Sequence, residues 1–247
     1  MKHVASMLAL CVLGPTIANA ADLTVLSGGA IEPGLKSAVA AFEKQSGHTV
    51  KITFNTTPQI QKRVGANDKF DVVIAPPATI KTFTQEGKVE AEGANVGRVG
   101  LGAVIRPDAP APDLSSVDAL KKTVLEADSI VFNRASTGIY FEDLLKKLGV
   151  YDKVETKTTR YADGASVMEH VLKGKGREVG FGAITEILLY KEKGARFVGP
   201  LPAEVQNYTS YAAVPMTGGA NMDAARSLAR FLGSADGKKL FVAAGIE

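Results

Sequence analysis

The sequence predicts an α/β fold with mostly parallel sheets, and three observations predict it. Short apolar runs of strand length alternate along the chain with stretches whose apolar residues recur at helical spacing. Glycine or proline punctuates most of these runs. Three strand-like runs end in loops rich in Gly, Ser, Thr or Asn, each leading into a helix pattern. Ligand crevices in open α/β sheets are built in this way, beyond the carboxyl ends of the strands.

The elements follow in order. LTVLS at 23–27 reads as a buried strand. The next stretch places Leu35, Val39 and Phe42 on one helical face, and Gly47 ends it. TVKITFN at 49–55 alternates like a strand, and QIQKRV is a short helix after Pro58. FDVVIA at 70–75 is a second buried strand, which Pro76 and Pro77 stop. VGRVGLGAVIR at 97–107 is a long, glycine-studded strand, followed by the proline-rich turn PDAPAPD. The pattern then restarts with strand SIVFN, helices over 138–148 and 165–173, and strands EVGFGA and ARFVG. TSYAAVPM at 209–216 is a second long strand. Two closing helices carry Ala225, Leu228 and Phe231, then Leu240 and Phe241. No repeat at a fixed period is visible.

A chain of 247 residues suits one large domain or two modest ones. The net charge of +3 is dispersed, and the densest basic stretch, KKLGVYDKVETKTTR, is interrupted by acids and apolar residues, so nucleic acid is not an expected partner. Lys2 and His3 precede an apolar run at 4–13, Gly14 and Pro15 break it, and Ala18-Asn19-Ala20 is a small-x-small cleavage signature. These features predict a secretory signal peptide over 1–20, cut after Ala20. The run is too short to span a bilayer. Leu10 is too large to precede a lipidated Cys11. Cys11 is the only cysteine, so the mature chain has none, which suits a bacterial periplasm and a fold that relies on its core. No Cys/His cluster has metal-ligand spacing and GKGREVGFG lacks the spacing of a phosphate loop, so neither metal nor cofactor is expected.

The loop FNRASTGIY at 132–140 raises the main functional question. Arg134, Ser136 and Thr137 stand where a strand hands over to a helix, and a helix N-terminus is a ready anion site. Arg134 offers a planar fork that matches a carboxylate. Thr56, Thr57, Gly28, Gly29 and Ala30, in the loops after the first two strands, are candidates to hold a second anionic group. Each has a plainer reading. Arg134 also fits an exposed residue paired with Glu142 or Asp143. Ser136 and Thr137 also fit helix caps. Glu32 before Pro33 also fits a helix-dipole role. His170 fits packing on its helix, and Tyr211 lines either a cleft or a hinge.

LTVLSGGAIEPGLKSAVAAFEKQSG, ITFNTTPQIQKRV, FDVVIAPPATIKTFTQEGKV, STGIYFEDLLKKLGVYD and AARSLARFLGSADGKKLFVAAGI occur in this order, and in them the chain resembles the periplasmic molybdate-binding proteins. The resemblance implies a two-lobe type 2 periplasmic-binding-protein fold. One lobe would span 22–102 plus 213–247 and the other 103–212, with VGLGAVI and YAAVPM as crossover strands. It further implies a monomer that holds a small anion in the cleft and hands it to a membrane transporter. The family's neutral oxyanion donors fall on Ala30, Thr57, Pro76, Thr137 and Ala183, several of which have lost the donor group. With Arg134 added, the expected ligand is a small di- or tricarboxylate. Molybdate or tungstate held through shifted contacts is a further alternative. The aconitate isomerases are similar to this family, so an allylic proton shift between trans- and cis-aconitate is the alternative activity. That chemistry needs donors, for which Arg134 is a candidate, and a base, for which Glu32, Glu186 and His170 are candidates.

Overall fold

The computed structural model describes residues 20–247. The expected signal peptide lies outside the described residues apart from its last position. The chain runs through β1 (Asp22–Gly28), α1 (Glu32–Ser46), β2 (Thr49–Asn55), α2 (Thr57–Gly65), β3 (Val72–Ala75), α3 (Pro77–Gln85) and β4 (Ala94–Ile105). It continues through α4 (Val117–Glu126), β5 (Ser129–Asn133), α5 (Ser136–Lys147), α6 (Tyr151–Val154), β6 (Thr158–Tyr161), α7 (Gly164–Lys173) and β7 (Glu178–Ala183). It ends with α8 (Ile184–Leu189), β8 (Arg196–Pro200), β9 (Tyr208–Pro215), α9 (Met222–Gly233) and α10 (Ala235–Ala243).

The strands join in the order β2-β1-β3-β9-β4-β7-β5-β6, with β8 also paired to β4. At one end β2, β1 and β3 are parallel, and at the other β7, β5 and β6 are parallel. Between these ends β9 and β4 run antiparallel to their neighbours and to each other. They are the two strands that carry the chain from one half to the other.

Each half has two apolar clusters of its own, the larger of them built around α1 and α9 in the first half and around α5 in the second. Leu23, Val25 and Ile74 of the first half meet Leu35 and Phe42 of α1 and Leu228 and Leu232 of α9. In the second half Phe132 of β5, Phe181 of β7 and Phe141 of α5 pack together, the last two stacked with ring centroids 4.0 Å apart. Leu35, Ala38, Val39 and Phe42 of α1 recur at helical spacing and face inward, and Gly47, at φ 73°, supplies the left-handed turn that ends the helix.

Several elements go beyond the sequence expectations. Pro77 opens α3 rather than only closing β3, because the first helical position has no use for a backbone N–H. α4 is capped by Ser116, whose hydroxyl accepts from Ala119 N–H at 3.1 Å. The short α6, β6 and α8 also had no distinct pattern of their own.

Candidate functional site

A cavity of about 360 Å³ opens where the carboxyl ends of β1, β2, β5 and β7 converge. Gly28 ends β1, and Gly29 and Ala30 follow it into α1. Asn55 ends β2, and Thr56 and Thr57 lead into α2. Asn133 ends β5, and Ala135, Ser136 and Thr137 lead into α5. Ala183 ends β7 and leads into α8. All of these residues line the cavity, as do Glu32, Gln59, Asp163, Gly164, Glu186, Tyr190 and Tyr211. The starts of α1, α2, α5, α7 and α8 therefore face one space, and free N–H groups at helix starts favour anions.

The loops are held by local hydrogen bonds. The Gln59 side chain accepts from the Thr56 N–H at 2.8 Å, fixing the start of α2. The buried Asn133 oxygen accepts from the N–H groups of Ala135 at 3.0 Å and Gly138 at 3.3 Å, and from the Thr137 hydroxyl at 3.4 Å. Gly138 has to be glycine, because a Cβ there would overlap the Asn133 carbonyl. Across the cavity the hydroxyls of Thr57 and Ser136 meet at 3.0 Å. The buried Thr185 hydroxyl donates to the Ala30 carbonyl. These two contacts join the halves of the molecule around the cavity.

Most of the sequence candidates come together here, namely Gly28, Gly29, Ala30, Glu32, Thr56, Thr57, Ser136 and Thr137. Arg134 does not. Its side chain is exposed and is not part of the lining, although its neighbours Asn133 and Ala135 both are. Its N–H donates to the Tyr161 carbonyl at 2.8 Å, which fixes the backbone there. Nor does it pair with Glu142 or Asp143. Glu142 is taken by Lys146 and Arg160.

Among the described residues the lining contains no lysine or arginine, but it does contain three carboxyls. Two of them are occupied. Glu32 pairs with Lys36 one turn along α1, and Asp163 caps α7 by accepting from Ser166 N–H at 2.8 Å. Glu186 has no such partner among the described residues. Its carboxyl lies between Gly29 and Gly164, where a Cβ on Gly164 would overlap it and one on Gly29 would lie 3.1 Å away. Removal from water, and then the charges of Asp163 and Glu32, push it up to about 7. Tyr211, only 5% exposed, lies against Gly28, and burial keeps its hydroxyl neutral far above physiological pH. His170 is not in the lining; its Nδ1 meets the Tyr161 hydroxyl at 2.9 Å on α7. The sequence did not single out Asn133 and Asp163 for the site, since each reads locally as a strand end or a helix cap. Among the described residues no cluster of His, Cys, Asp and Glu could hold a metal ion, and no helix is long and apolar enough to cross a membrane.

The chain is 28% identical over 231 residues to an aconitate isomerase from Pseudomonas sp, covering 91% of this chain and 87% of that protein. Among solved structures it resembles the periplasmic molybdate-binding protein of Azotobacter vinelandii, with a TM-score of 0.75 at 17% identity over 91% of this chain and 98% of that one. It also resembles a tungstate ABC transporter structure from Geobacter sulfurreducens, with a TM-score of 0.72 at 17% identity over 90% and 98% of the two chains. These likenesses establish the two-lobe type 2 periplasmic-binding-protein fold. The family model for bacterial extracellular solute-binding proteins matches residues 23–247, and the chain belongs to that family.

Proposed function

We propose that this protein is a periplasmic isomerase that takes a small unsaturated polycarboxylate of the aconitate class and moves its double bond by an allylic proton shift. The observation that carries the reading is Glu186, the one lining carboxyl without a partner among the described residues, pushed up to about 7 inside a cavity of small-molecule size. A base of this kind is matched to proton transfer near neutral pH. The likeness to an aconitate isomerase along most of the chain supports the substrate class.

The chemistry follows from the residues present. The ionised Glu186 removes a proton from the methylene beside a ligand carboxylate. The electron pair moves into the new double bond, and charge spreads onto a conjugated carboxylate oxygen. The neutral hydroxyl of Tyr211 and the free N–H groups at the start of α5 donate to oxygens that gain charge. Glu186 then returns the proton to the far carbon of the allyl system, so no atom is gained or lost. Lobe closure around the ligand, with crossovers in β4 and β9 and lobes at 22–102 plus 213–247 and 103–212, excludes water from the carbanion-like state.

For trans-aconitate, kcat/KM should rise with pH through about 7 and then level, because the base is the ionised form. Glu186→Gln should lower kcat by about 10²–10⁴-fold. A full-rate Glu186→Gln enzyme would remove Glu186 from the mechanism. A second reading, a binding protein that delivers a carboxylate to a membrane transporter, is favoured by the family itself and by the solved structures of transport proteins. Under that reading the ligand leaves unchanged.

A further inference from the structure

We infer that Asn133 is a specificity-determining residue whose side-chain amide donates to an anionic oxygen of the ligand at the start of α5. Asn133 is 2% exposed and yet lines the cavity. Two backbone N–H groups and one hydroxyl surround one atom of its carboxamide. A backbone N–H can only donate, so that atom is the oxygen and the orientation of the amide is fixed. The NH₂ group at the other end has no partner among the described residues. A polar side chain that is nearly fully buried keeps a free donor only where something else meets it. Here that donor joins the N–H groups of Ser136 and Thr137, in the first turn of α5, which have no acceptor within the helix.

The carboxamide therefore has two separable tasks. Its oxygen organises the helix start, and Gly138 leaves room for the close approach. Its nitrogen offers the ligand a rigid, uncharged donor. Paired with backbone N–H groups it suits the oxygens of a carboxylate, and it takes the place that Arg134 does not fill. The inference rests on the proposed function only in taking the ligand to be a polycarboxylate.

Asn133→Asp separates the two tasks. A carboxylate accepts all three existing bonds and favours the helix start, so melting of the unliganded protein should be unchanged or slightly raised. It presents an acceptor and a negative charge where the ligand needs a donor, so affinity for trans-aconitate should fall about a hundredfold or more. Asn133→Ser keeps a capping oxygen without added charge and should weaken binding about tenfold. Thermal-shift titrations of wild type and both variants with trans-aconitate and with molybdate read this out. A wild-type response to trans-aconitate that Asn133→Asp loses and that Asn133→Ser shows only at about tenfold higher concentration, with unliganded melting retained, is the expected result. Variants that bind like wild type overturn the role of Asn133 and leave the proposed function standing. A wild type that answers molybdate alone, with the same loss in the variants, overturns the polycarboxylate reading and keeps Asn133 as an anion donor. A wild type that answers neither anion overturns both.

Discussion

The carboxyl of Glu186 sits where the fold favours its neutral form, because burial and the nearby Asp163 and Glu32 all oppose its charge. Its folded value of about 7 lies above the ordinary 4.5. Such a group contributes its full stability at low pH and loses it as pH rises between those two values, since the fold holds the proton that the unfolded chain gives up. Glu186→Gln, always neutral, should therefore melt like wild type near pH 4.5 and higher than wild type near pH 8. For a group still in part solvated the gain is on the order of 2 kcal/mol, or roughly 4–8 °C for a chain of this size. Calorimetry at the two pH values measures this, and equal melting at both would show that Glu186 is not strained in the fold. The same position should thus be costly for stability and necessary for activity, as expected for a site group held in an unfavourable environment.

Helix starts do the positioning. Gly164, the first residue of α7, leaves the space that the Glu186 carboxyl occupies. Gly164→Ala is compatible with a helix, so the fold should be kept while the flexible carboxyl is displaced. Turnover of trans-aconitate should drop about tenfold or more with melting unchanged, since small displacements of a reacting group are expensive. Unchanged turnover would mean that the carboxyl need not lie against α7. Much at this scale was legible in the sequence. Gly28, Gly29, Thr56, Thr57, Ser136 and Thr137 follow apolar runs directly, and a strand end is a local signal. The exposure of Arg134 was not legible, because a loop residue beside Asn133 and Ala135, which both line the cavity, carries no local signal of which way its side chain lies. Glu186 was legible as one of three candidate bases, beside Glu32 and His170, and what set it apart was not, since its environment comes from Gly29 and Gly164 in distant parts of the chain. α3 was hidden because proline reads as a breaker and here stands at a helix start, and α4 because a proline-rich turn precedes its capped, apolar-striped sequence.

At the scale of the whole molecule, the apolar clusters of the two halves are joined through β4 and β9, and the cavity lies where the two halves meet. Thr57 with Ser136, and Thr185 with Ala30, link the halves on its walls. The arrangement was legible in the sequence as alternating strands and helices with two long strands, because each half repeats the strand-then-helix order. What the fold shares with transport proteins does not decide between carrying a ligand and converting it. The difference rests on Glu186. Proton NMR of trans-aconitate incubated with the pure protein in deuterated water tests it most directly. The account predicts that cis-aconitate resonances grow in at the expense of those of trans-aconitate. A trans-aconitate spectrum that stays unconverted and unexchanged, whether broadened by binding or not, would contradict it.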